Sequence, residues 1–103
     1  MKQENYKTWK SLTEEYKELM ENINSYKEDN RLLVKEYGIC IKNLNDPHIS
    51  QGLKSYNQIK IDEITKLMRI NEEKISRAQL KIDRYSALMN AMETPLYDTS
   101  NIH

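Results

Sequence analysis

Residues 9–44 of the chain read WKSLTEEYKELMENINSYKEDNRLLVKEYGICIKNL, and their spacing of apolar side chains is the main indication of the fold. Large or apolar residues recur along this stretch at alternating intervals of three and four positions, and one of them is polar. They are Trp9, Leu12, Tyr16, Leu19, Ile23, Tyr26, Asn30, Leu33, Tyr37, Cys40 and Leu44. This spacing keeps side chains on one stripe of a helix and is the seam pattern of coiled coils, so it predicts a long helix over about residues 4–45.

The same alternation returns in the second half of the chain, again with a single polar member, Asn71. The recurring residues are Ile61, Ile64, Met68, Asn71, Ile75, Ala78, Ile82, Tyr85, Met89 and Met92. A second long amphipathic helix follows from this pattern. Since Asp46 can cap a helix whose first residue is Pro47, we expect this helix over about residues 47–93.

The pattern stops at Thr94 and Pro95, which are expected to break the helix. The sequence therefore predicts one helical domain, residues 1–93, followed by a flexible C-terminal tail, residues 94–103.

Asn30 and Asn71 indicate how the two helices pair. If these two residues face each other in an antiparallel arrangement, the numbers of each facing pair add up to 101, and the two apolar seams come into register. The turn then falls between Ser50 and Gln51, inside the segment expected to join the helices. The fold class is therefore all-α, a long antiparallel helical hairpin that resembles a coiled coil.

A register-setting role follows for Asn30 and Asn71. Two amides in an apolar seam satisfy each other only in one register, and a slipped register costs about 1–3 kcal/mol for each buried amide left unpaired. The alternative is that both side chains lie near solvent and align by chance.

More apolar side chains flank the seams than a two-helix hairpin can bury. The interface candidates among them are Tyr6, Met20, Val34, Ile41, Tyr56, Leu67, Ile70 and Leu88, and Leu32 with Ile39 forms another flank. Soluble monomers seldom leave such a surface exposed. Either a second copy covers it, giving a homodimeric four-helix bundle, or a different protein does.

Candidate chemistry is sparse. Gly38 and Gly52 stand alone, so no glycine-rich phosphate loop is available. Neither His48 nor His103 has a second metal ligand at helical spacing, and Cys40 lies on the seam, where a thiol packs as a small apolar group. Neighbouring carboxylates on a helix point about 100° apart, away from a shared acid–base site. We therefore expect no enzyme activity, catalytic residue, metal or cofactor.

Charge and hydropathy give the remaining expectations. The chain has 16 basic and 16 acidic residues, so no net positive charge favours nucleic acid or an anionic membrane. No apolar run approaches the roughly 20 residues of a membrane span, and a single cysteine fits a reducing compartment. We expect a soluble, cytoplasmic protein.

These observations favour a non-catalytic protein-binding module. The Lys, Asn, Ile and Tyr content resembles that of accessory proteins of mobile elements in AT-rich bacteria, which suggests a small phage- or plasmid-encoded regulator or inhibitor. The alternative is a nucleic-acid-binding transcriptional regulator that uses the basic side of the second helix. Residues 54–84 carry eight basic and five acidic side chains, a modest excess.

Overall fold

The computed structural model describes the backbone of residues 3–101 and the side chains of residues 5–92. It contains two helices, α1 (Gln3–Leu44) and α2 (Gln51–Asn101), joined by residues 45–50. All regular secondary structure in this described part of the chain is α-helical. The predicted all-α helical hairpin is confirmed, and α1 lies within one residue of its predicted bounds.

The start of α2 differs from the prediction. The helix begins at Gln51 rather than at Pro47, and its cap is Ser50 rather than Asp46. The Ser50 hydroxyl accepts a hydrogen bond from the backbone N–H of Leu53 over 3.3 Å, the bond that a serine makes at the N-cap position.

Asp46 instead begins a β-turn. Its carbonyl oxygen accepts the N–H of Ile49 over 3.2 Å, and its carboxylate accepts the N–H of His48 over 2.9 Å. Asp at the first position and Pro at the second are the preferred residues of such a turn. Asp46 and Pro47 are thus favourable both at the start of a helix and in a β-turn. Here the β-turn forms, because the chain must reverse direction between the helices.

The end of α2 also lies beyond the prediction, because the helix continues past residue 93 to Asn101. The predicted flexible tail, residues 94–103, lies outside the residues whose side chains are described.

The helices form two compact units. The turn unit is Asn24–Ile75, and the terminal unit combines Met1–Ile23 with Ser76–His103. In the turn unit, Cys40 and Ile64 are buried where the seams meet. The seam predictions therefore identify the apolar core of this unit.

The core of the terminal unit consists of Ile23, Ala78 and Ile82, all predicted for the seams and all buried. The Thr13 hydroxyl lies 3.5 Å from the Met89 sulfur and joins the two helix segments of this unit. Small and branched side chains at these positions let the two helix backbones approach closely.

Tyr37 is the exception to the seam pattern. Among the predicted seam residues, all of which are described, it alone is exposed, with 39% of its surface accessible. An aromatic ring is amphipathic enough to sit at the edge of a helix pair, with its hydroxyl in water.

Candidate protein-binding groove

A large groove of about 640 Å³ opens along one side of the turn unit. Apolar side chains from both helices form it, and four polar groups border it. The apolar residues are Leu32, Leu33 and Ile39 of α1 and Leu67 of α2, and the polar ones are Asp29, Lys35, Glu36 and Asn71. We call this feature the large groove. Concave, mostly apolar surfaces with a few polar groups are typical of binding sites.

Helix geometry explains why Leu32, Ile39 and Leu67 lie at the surface. Leu32 and Ile39 come two positions after seam residues of α1, and Leu67 comes one position before a seam residue of α2, so their side chains point off the seam. Their exposed fractions are 49%, 60% and 50%. Each side chain therefore touches the hairpin with one part of its surface and leaves the rest in water.

The asparagine pair lies in the same unit. Asn71, which borders the large groove, donates its side-chain N–H to the side-chain amide oxygen Oδ1 of Asn30 over 2.9 Å. Both side chains are half-buried. The facing arrangement expected from the register is present, and its role in setting that register remains a prediction.

The charges beside the large groove differ between the helices. The α1 side carries two acidic residues and one basic residue, Asp29, Glu36 and Lys35. On α2, Lys60 and Lys74 lie seven residues before and after Leu67 on the same stripe. The Lys60 ammonium lies 4.0 Å from the Glu36 carboxylate. The Lys74 ammonium lies over the ring of Tyr26, 5.5 Å from its centre, a cation–π contact.

A smaller groove of about 350 Å³ is lined by other residues of the turn unit. Its apolar lining is Val34, Tyr37 and Met68, and its polar lining is Thr65, Arg69 and Glu72. None of these six residues lines the large groove. The turn unit thus presents two separate apolar surfaces.

All eight predicted interface residues are exposed, with accessible fractions from 36% for Ile41 to 55% for Tyr56. Tyr6, Met20 and Leu88 belong to the terminal unit and the other five to the turn unit. Leu67 lines the large groove and Val34 lines the small groove. Their role as an interface remains a prediction.

Leu32 and Ile39 are the groove residues that the interface set omitted. Their signal was present, because they are seven residues apart and share a helix face. What could not be read from α1 alone was that Leu67 of α2 completes the same groove.

A second asparagine pair was also missed. Asn57 is 4% exposed, and its side chain donates to the Leu53 carbonyl over 2.8 Å and accepts from Asn43 over 3.2 Å. The nitrogen and the oxygen of its side-chain amide therefore each have a hydrogen-bond partner, as burial requires. The signal was again in the sequence, since Asn57 lies four residues before Ile61 and continues the alternation of the seam.

The ionisable side chains of the described residues include a buried thiol and a surface ion pair. Its residues contain no group of three His, Cys, Asp or Glu side chains that could hold a metal ion, and Cys40 is a buried free thiol. Arg31 donates to Glu28 one turn earlier on α1 over 2.8 Å, and this hydrogen bond lowers the pKa of the Glu28 carboxyl. Both partners are exposed, which is typical of a surface ion pair.

Within the described residues, neither helix is apolar over a long enough stretch to cross a lipid bilayer.

Comparison with known proteins adds no relative. No protein-family model, no curated protein and no solved structure matches this chain.

Proposed function

We propose that this protein is a non-catalytic binding module and that it holds a helical segment of a protein chain in the large groove of the turn unit. The observation that carries this proposal is the half-exposed state of Leu32, Ile39 and Leu67 around one groove. An amphipathic helix that places apolar residues at every third and fourth position covers such a groove well.

The three groove residues supply only part of the binding energy that recognition needs. Full burial of a Leu or Ile side chain contributes about 1.5–3 kcal/mol, so completing the burial of a half-exposed one contributes about 1 kcal/mol. The three groove residues together supply about 3 kcal/mol before the cost of association. Shape and the charges beside the groove must then decide which segment binds.

The bound segment belongs either to a second copy, which would complete a four-helix bundle, or to a different protein. In the second case the module acts as a small regulator or inhibitor through its protein contacts. The phage or plasmid origin and the cytoplasmic location remain predictions from composition.

Protein binding is preferred to nucleic-acid binding because of the charge distribution around the groove. The basic residues Lys60 and Lys74 of α2 lie beside the acidic residues Asp29 and Glu36 of α1, and Lys60 approaches Glu36 within 4.0 Å. Phosphate binding needs an uncompensated basic face. A salt-dependent mobility shift of duplex or single-stranded DNA by the intact protein would support the alternative.

The test compares a groove variant with a matched surface variant. Leu32→Lys with Leu67→Lys places two charges in the groove, whereas Leu80→Lys changes a leucine that is 59% exposed and lies in the terminal unit. Tagged chains are incubated with cell lysate, retained proteins are quantified by mass spectrometry, and molecular mass is measured in parallel.

We expect the groove variant to lose binding to a retained protein, to its own copy or to both, and the Leu80 variant to keep it. Equal retention and equal mass for all three chains would contradict the proposal. Circular dichroism confirms that the helices persist in each variant.

A further inference from the structure

We draw no further inference here: the strongest candidate, the large groove of the turn unit around Leu32, Ile39 and Leu67, belongs to the site already described, and nothing in the structure shows what covers it.

Discussion

The Asn30–Asn71 hydrogen bond offers the sharpest test of how this hairpin is held together. It joins the two helices of the turn unit over 2.9 Å between half-buried amides. We consider Asn30→Leu, Asn71→Leu and the double change. The prediction is that the two single changes destabilise the protein and that the double change stabilises it.

The magnitudes follow from the burial of the pair. Replacing a half-buried asparagine with leucine adds about 1 kcal/mol of hydrophobic stabilisation to the free energy of unfolding. Each single change also loses a hydrogen bond worth about 1 kcal/mol and leaves a half-buried amide without a partner, at a further cost of about 1 kcal/mol. We therefore expect each single change to lower the free energy of unfolding by about 1 kcal/mol.

The double change removes both amides, so no polar group is left unpaired. It gains about 2 kcal/mol from two leucines and loses about 1 kcal/mol from the hydrogen bond, which raises the free energy of unfolding by about 1 kcal/mol. Additive single changes would lower it by about 2 kcal/mol. The coupling is therefore about 3 kcal/mol, at the upper end of values for neighbouring residues.

Urea denaturation followed by circular dichroism, at one protein concentration for all four chains, measures these differences. Asn24→Leu is the control, because Asn24 is exposed on α1 and its replacement should change stability by less than about 0.5 kcal/mol. Additive effects of the two single changes would refute the reasoning, since they would show that neither amide depends on the other.

Three further predictions concern other contacts. Asn57→Ala should lower the free energy of unfolding in urea by about 2 kcal/mol, because it removes a buried side chain together with its hydrogen bonds to Leu53 and Asn43; a loss below about 0.5 kcal/mol would contradict this role. Ser50→Ala should cost about 1 kcal/mol by the same measurement, because it removes the cap of α2, and an unchanged midpoint would show that the cap is dispensable. A hydrogen bond to Glu15 raises the pKa of the Tyr85 phenol, so its stabilising effect is present below the unfolded pKa and is lost as pH rises through the folded pKa. Glu15→Gln should lower the pKa of Tyr85 in a titration of phenolate absorbance, and an unchanged titration would exclude this hydrogen bond as the cause.

Charges across the hairpin show a limit of reasoning from the sequence. The register places Lys74 close to the height of Asp29, and the Lys74 ammonium lies over the ring of Tyr26. Long side chains reach several partners at similar cost, so spacing in sequence does not decide among them. Facing positions in the register therefore predict which residues are close, but they do not predict which partner a long side chain contacts.

The turn between the helices shows a second limit of prediction from the sequence. Asp46 and Pro47 are favoured both at the start of a helix and in a β-turn, and the structure uses them in the turn. Ser50 then provides the cap. Local preferences of similar strength competed here, and the geometry needed to connect two antiparallel helices decided between them.

The two helices could be predicted from the amino-acid sequence, because apolar residues at intervals of three and four define one stripe on each helix. The pairing of the helices needed a further signal, the polar residues Asn30 and Asn71, because apolar periodicity alone also fits a pairing shifted by seven residues. The groove formed by Leu32, Ile39 and Leu67 and the burial of Asn57 were seen only in the folded chain. These features depend on the rotation of each helix about its axis and on the contact between two distant segments. The periodicity within one helix gives no information about either.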